Sequence, residues 1–114
     1  MRIPVLAAAL VAAVCLAVPA DAGTRTRTIK IGDDWFVRPG GGTVTVKRGT
    51  KVIWLWTQHD PHDVVVRSGP VKFKGPIYGP PGSKYSHRVT VPGTYKIFCE
   101  VHGYKAMHMT LKVR

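Results

Sequence analysis

Short runs rich in β-branched residues, each broken by a turn signal about every eight to twelve positions, govern what this chain can fold into. The signals are Gly32-Asp33-Asp34, Pro39-Gly40-Gly41-Gly42, Arg48-Gly49, Asp60-Pro61, Ser68-Gly69-Pro70, Gly79-Pro80-Pro81-Gly82, Pro92-Gly93 and Gly103. Between them the side chains alternate. Val44 and Val46 oppose Thr43, Thr45 and Lys47; Tyr85, His87, Val89 and Val91 oppose Lys84, Ser86, Arg88 and Thr90; Met107, Met109, Leu111 and Val113 oppose His108, Thr110, Lys112 and Arg114. A period of two is the mark of a strand with one face buried. With 26–31, 50–57, 62–67 and 94–99 added, the pattern predicts seven or eight strands, arranged as a sandwich or barrel. Residues 68–83 read as a loop with a short edge strand. Helix formers are scarce after residue 22: Ala106 is the only alanine there, and Leu55 and Leu111 are the only leucines. Trp35, Trp54, Trp56, Phe36, Phe73 and Phe98 are the large side chains expected to fill the core.

Residues 1–22 have a different character. Met1-Arg2 precedes an apolar stretch from Ile3 to Val18, and Ala20-Asp21-Ala22 supplies a small-residue cleavage pattern. This is an export signal, expected to be cleaved before Gly23 and to leave one domain, 23–114. The competing reading is a retained anchor, for which Ile3–Ala20 lies near the lower length limit of a span. Either way the domain is exported, to periplasm, cell envelope or beyond. Cys15 goes with the signal, because Val14 stands where a lipoprotein cysteine wants a small neighbour. Cys99 is then the one cysteine of the domain, in a compartment that permits disulfides. A lone thiol there is buried and inert, paired with another chain, or bound to a metal.

The residues around it favour the metal. Cys99, His102 and Met107 follow a Cys-x2-His-x4-Met spacing on a loop between two expected strands, and His62 opens an apolar strand upstream. Thiolate, two imidazoles and a thioether are the donors of a trigonal copper site with a weak axial Met, in which soft sulfur and borderline nitrogen leave neither Cu(I) nor Cu(II) strongly preferred.

On these residues the chain resembles the cupredoxin (blue copper) family, and is similar to its small plastocyanin- and pseudoazurin-like members. The likeness extends over 43–54 (Thr43-Val44-Thr45-Val46-Lys47-Arg48-Gly49-Thr50-Lys51-Val52-Ile53-Trp54), Pro61-His62 and Val91-Pro92-Gly93-Thr94-Tyr95-Lys96-Ile97-Phe98-Cys99. The resemblance implies an all-β, Greek-key β-sandwich of seven to eight strands holding one copper ion (Cu+/Cu2+) and carrying single electrons. It implies His62 as the buried imidazole ligand through Nδ1, Cys99 as thiolate, His102 as the imidazole at the solvent edge and Met107 as axial thioether. Pro61, Gly103 and Tyr104 would then frame the surface where a redox partner docks. The family usually has Asn after the first histidine; here it is Asp63. The backbone N–H can still bond the cysteine sulfur, but an ionised carboxylate cannot donate as an amide does, so a transferred reduction potential is in doubt.

Other readings fare less well. His59-x2-His62 with Cys99-x2-His102 imitates a four-ligand zinc site, but the β-rich frame and Met107 favour copper. Met109 is two residues too far from Cys99 and is assigned to the core. His108 is expected in solvent, and His87 half-buried with a hydrogen bond. A cysteine nucleophile needs a base across a cleft, not three residues along the same loop, and the His-x-His pairs of multicopper oxidases are missing, so the chain is not expected to be an enzyme. Copper sequestration or delivery through the same ligands is the alternative function. Lys and Arg number 17 against 6 Asp and Glu, a formal charge of +11. The basic residues do not interleave with aromatics on a strand face, so nucleic acid is not the expected partner. A monomer steered to an acidic redox partner or an anionic envelope surface is expected, against the plainer reading of a solvated basic surface.

Overall fold

The computed structural model describes residues 25–114; the expected signal segment, 1–22, lies outside the described residues. Eight strands are present: β1 (Thr26–Gly32), β2 (Trp35–Phe36), β3 (Thr43–Val46), β4 (Thr50–Trp56), β5 (Val65–Ser68), β6 (Lys84–Val89), β7 (Gly93–Phe98) and β8 (His108–Val113). They form two four-stranded sheets, ordered β2-β1-β4-β6 and β3-β8-β7-β5. β1 runs parallel to β4, from Thr26 opposite Lys51 to Ile31 opposite Trp56, and β3 runs parallel to β8. The other pairings are antiparallel. Parallel neighbours cannot be joined by a tight hairpin, so the chain crosses between sheets, giving the Greek-key-like sandwich that the resemblance implied.

The period of two decides which side chains line the space between the sheets. In β4, Thr50, Val52, Trp54 and Trp56 are buried while the alternate residues are half-exposed. In β8, Met109, Leu111 and Val113 point inward, as the alternation predicted. Trp54, Trp56 and Phe36 are fully buried, and Phe73 packs against them. Trp35 and Phe98, expected in the core, are only half-buried. Tyr95 is in the core: its ring is buried and its hydroxyl donates to the Val91 carbonyl at 2.7 Å. That bond belongs to the β6–β7 turn, and Val91, expected to face inward, is 39% exposed beyond the end of β6.

Two boundaries differ from the sequence expectation, and both shape the site. Only Val65–Ser68 of the expected strand 62–67 forms a continuous ladder; His62 is held instead by an isolated bridge to Tyr78, and Val65 by one to Lys74. The loop 68–83 therefore doubles back along 62–65, and its expected edge strand is reduced to these two bridges. Pro70, Pro76, Pro80 and Pro81 have no N–H to extend a ladder. β2 was not anticipated, since two residues carry no periodicity.

The end of β1, the segment after β4, the end of β7 and the start of β8 meet at one pole of the sandwich. At the other pole Arg25, Arg27, Lys47 and Arg114 line a groove of about 230 Å3.

The 38–42 turn packs beside β8 through two adjacent glycines, Gly40 at φ 90° and Gly41 at φ 84°. A Cβ on Gly40 meets open space, whereas one on Gly41 would lie 2.7 Å from the His108 carbonyl oxygen. Gly40→Ala should therefore cost only the left-handed penalty, about 1–2 kcal/mol. Gly41→Ala must also displace a backbone carbonyl and should cost more, toward the upper end of the roughly 1–3 kcal/mol typical of strained backbone. Urea unfolding of the two metal-free variants checks the order; equal losses would contradict the packing described.

Candidate metal centre

Cys99 is the first residue after β7, and its loop closes on itself before β8 begins. The Cys99 N–H donates to the Met107 carbonyl (3.2 Å), Gly103 N–H to Cys99 O (2.8 Å) and Met107 N–H to Gly103 O (3.0 Å). Gly103 sits at φ 91°, which an L-residue adopts only under strain. The nine residues 99–107 are thus a small hydrogen-bonded unit, clamped at both ends by the β7–β8 ladder. His62 arrives from the opposite direction. Its backbone exchanges two hydrogen bonds with Tyr78, at 2.9 and 3.0 Å, and its side chain is buried.

These two segments converge on one point. Cys99 Sγ lies 3.8 Å from His62 Nδ1 and 3.6 Å from His102 Nδ1, and the two rings stand 5.0 Å apart between centroids. For a metal bonded to nitrogen at about 2.0–2.1 Å and to sulfur at about 2.3 Å, tetrahedral to trigonal angles put the two donors roughly 3.5–3.8 Å apart. Both measured separations fit, and the sulfur with the same nitrogen of each ring faces a common centre. The donor atoms of His62, Cys99 and His102 all lie within 4.8 Å of one another. The residues present therefore fit a single copper ion, bound by one soft and two borderline donors.

Electrostatics prepare the three for a cation. Burial pushes the Cys99 thiol up, while the backbone N–H groups of Asp63, His102 and Val101 pull it down by hydrogen bonding to sulfur. Without a metal the thiol keeps its proton; a cation replacing that proton finds a sulfur already solvated by amides. His62 is held below 6.5, first by burial and then by His102, against the opposing pull of Asp60, Asp33 and Asp34. A neutral imidazole is what coordination needs.

Asp63 is fully buried, and its Oδ1 accepts the Glu100 N–H at 2.7 Å, tying the His62 segment to the cysteine loop. Its Oδ2 is buried without a partner, and burial raises its pKa above 3.8. Glu100 turns outward to an ion pair with Lys74 at 2.7 Å.

The remaining candidates are placed as follows. Met107 is buried beside the cluster at the end of the cysteine loop, and Met109 is in the core. Pro61 is exposed and Gly103 half-exposed. Tyr104 packs against the Arg67 guanidinium, 4.2 Å from its centroid, and against the His108 ring, stacked at 4.8 Å. His108 is exposed, as expected. His87 is half-buried, as expected, and the contact that holds its ring is a stack on Phe73 at 4.0 Å. Asp34, Asp60 and His102 form a second group whose polar atoms lie within 4.8 Å of one another; His59 is exposed and joins neither group among the described residues, so the zinc reading lacks its fourth ligand. One contact was not legible in the sequence. His102 Nε2 lies 3.1 Å from Asp34 Oδ1, on the β1–β2 turn.

Residues 29–114 match the profile of the family described as copper binding proteins, plastocyanin/azurin family. Amicyanin-alpha of Methylorubrum extorquens is 33% identical over 99 residues, which cover 84% of this chain and 80% of that protein. Among solved structures, an oxidised point mutant of amicyanin superposes with a TM-score of 0.65 at 26% identity, over 83% of this chain and 88% of the other. A copper-containing nitrite reductase from Thermus scotoductus superposes with a TM-score of 0.64 at 26% identity; it covers 76% of this chain but only 22% of the reductase. The likeness to the reductase is thus to a fraction of that chain.

The state of Asp63 yields a prediction. Asp63→Asn keeps an oxygen to accept the Glu100 N–H, and puts an uncharged amide nitrogen where an ionisable carboxyl oxygen is buried without a partner. The metal-free variant should be more stable than the parent at neutral pH, by about 1–3 kcal/mol, because a neutral group costs less to bury unpartnered than an ionised one. Chemical denaturation reads this directly, and a loss of stability would show that the carboxylate is better satisfied than its surroundings indicate.

Proposed function

The chain belongs to the plastocyanin/azurin family of copper-binding proteins, and from that footing we propose that it is an exported one-electron carrier with one type 1 copper ion. It is a carrier and not an enzyme. The observation that carries this reading is the single buried sulfur facing two imidazole Nδ1 atoms at 3.8 and 3.6 Å. Copper held there supplies a Cu(I)/Cu(II) couple that accepts and gives one electron.

The chain's contribution is to hold the donors still. The hydrogen-bonded 99–107 loop, the His62–Tyr78 bridge and the Asp63–Glu100 bond fix them from three sides. Little then has to move when the charge changes. Met107, at the end of that loop, is the fourth and weaker donor. Its burial supports this, and the thioether would help keep Cu(I) accessible. Asp63 places a carboxyl next to two ligands and tunes the potential. His102 is the only one of the three donors with solvent exposure, 26% of its side chain, so electrons enter and leave through its edge. Pro61, Gly103 and Tyr104 form the contact surface about that edge, with the Tyr104 ring steadied by Arg67 and His108.

The charge pattern bears on the partner. Asp33, Asp34, Asp60, Asp63 and Glu100 are all the carboxylate side chains in residues 25–114, and all lie at the metal pole or beside a ligand. The basic groove of Arg25, Arg27, Lys47 and Arg114 lies at the opposite pole. A net charge of +11 draws in acidic redox proteins and anionic envelope surfaces from a distance. The asymmetry supports the basic pole facing an anionic surface while the less basic metal pole meets the redox partner.

Copper-loaded protein should show an intense visible thiolate-to-Cu(II) charge-transfer band at one copper per chain. Cys99→Ser should abolish the band while preserving the far-ultraviolet spectrum of the sandwich. A colourless Cu(II) complex would overturn the assignment. Fast reversible voltammetry, with copper retained in the presence of an apo-acceptor, separates the carrier from copper delivery.

A further inference from the structure

The two imidazoles of the metal centre are held in different ways. His62 is buried, its backbone bridged to Tyr78, and its outer nitrogen Nε2 is buried with no hydrogen-bond partner. Packing alone fixes that ring. His102 is half-exposed on a loop, where packing leaves one edge free to turn. Its Nε2 instead meets a carboxylate oxygen, Asp34 Oδ1, at 3.1 Å. Because Nδ1 of the same ring faces Cys99 Sγ at 3.6 Å, the two nitrogens have opposite duties. Nδ1 must present a lone pair to the metal, and Nε2 must carry the proton. A carboxylate accepts that proton's hydrogen bond and can do nothing else with the ring, so it selects this tautomer and this ring angle together.

Asp34 is itself held in place. It forms the two-residue β1–β2 turn with Asp33, between the paired residues Gly32 and Trp35. It sits at φ 67°, a left-handed conformation that Asp tolerates better than most residues. The turn is tied to the segment leading to His62 at two points: the Asp33 N–H donates to Gln58 Oε1, and the Asp60 N–H donates to Asp33 Oδ1 at 3.0 Å. The carboxylate that meets His102 therefore projects from a braced turn of the other sheet, not from a free loop.

We propose that Asp34 is the positioning residue of the exposed copper ligand: it fixes the tautomer and orientation of His102, strengthens Nδ1 as a donor, and so favours Cu(II) over Cu(I). This rests on reading His102 as a copper ligand. The electron-transfer edge is then a hydrogen-bonded His102–Asp34 pair, with a negative charge placed where the partner touches.

The test compares Asp34→Asn, Asp34→Gly and Asp60→Asn with the parent. Asn and Gly both accept a left-handed φ, so neither strains the turn. Asp60→Asn removes an equal charge from the same small group without taking away a hydrogen bond to His102. Three readouts apply: copper affinity by competition titration, reduction potential by voltammetry, and imidazole 15N shifts of the metal-free protein, which report the tautomer. Copper binding should weaken by about 10–100-fold in Asp34→Gly, the usual loss for an outer hydrogen-bond partner. It should weaken less in Asp34→Asn, whose neutral oxygen can still accept. The potential should rise in the order Asp, Asn, Gly, and the His102 Nε2–H tautomer should give way to a mixture in Asp34→Gly. Asp34 variants that match Asp60→Asn in all three readouts would overturn the proposal, leaving only the effect of charge. If the parent itself shows no charge-transfer band, it is the copper reading that fails, and the tautomer measurement still judges the His102–Asp34 bond.

Discussion

The hydrogen bond that the Glu100 N–H donates to Asp63 Oδ1 at 2.7 Å ties the backbones of the two halves of this centre together. His62 and Cys99 are 37 residues apart in the chain and reach the site from different directions. Between them, the ladder of β5 with β7 begins only at Val65 opposite Phe98. Beyond that pair the two segments would be free to diverge, and a metal would have to pull them together at each binding event. The bond, with the Asp63 N–H turned to the cysteine sulfur, extends the pairing past the end of the sheet. The price is a carboxyl group in a fully buried position with one oxygen unsatisfied. A buried carboxyl of this kind persists where it holds something that packing cannot, and what it holds here is the spacing of two metal ligands.

Much of this was legible in the sequence because it rests on local rules. The period of two in 43–47, 84–91 and 107–114 follows from strand geometry, and it placed Val44, Val46, Val89, Met109, Leu111 and Val113 in the core without knowledge of their partners, failing at Val91, which lies past the end of β6. The Cys99–His102 spacing was readable for the same reason, since three residues along a tight loop cannot be far apart in space. What escaped was non-local or too short. β2 offers two residues, too few for any pattern. The His62–Tyr78 bridge depends on how a proline-rich loop folds back, which no alternation encodes. Asp34 read as an ordinary turn residue, because its meeting with His102 requires the end of β1 in one sheet to reach the end of β7 in the other.

The aromatic residues show where composition misleads. Trp35 and Phe98 are as large and apolar as Trp54 and Phe36, yet they are only half-buried. Both adjoin the metal pole, Trp35 next to Asp34 and Phe98 next to Cys99. Each takes the outward parity of its strand: Trp35 alternates with buried Phe36, and Phe98 stands between buried Ile97 and Cys99. Tyr95, with a hydroxyl to satisfy, is buried more deeply because the Val91 carbonyl waits at the edge of its pocket.

These placements bear on how electrons leave. A centre buried on all sides would be rigid but unreachable, and one open on several sides would admit water and lose its geometry with each change of charge. Here the sulfur and one imidazole are sealed, and the second imidazole alone reaches the surface. Such an arrangement is useful only if the exposed ligand is as well fixed as the buried ones, since the coupling to a partner depends on where that ring lies. Burial fixes His62 and the β7–β8 ladder fixes Cys99; for His102 neither is available without closing the exit. A hydrogen bond donated by its outer nitrogen to a braced carboxylate meets both demands, because it grips the ring at its rim and leaves a rim beside it open. The gathering of the domain's few carboxylates at this pole, on a chain otherwise strongly basic, then follows from the needs of the metal centre more than from those of the surface as a whole.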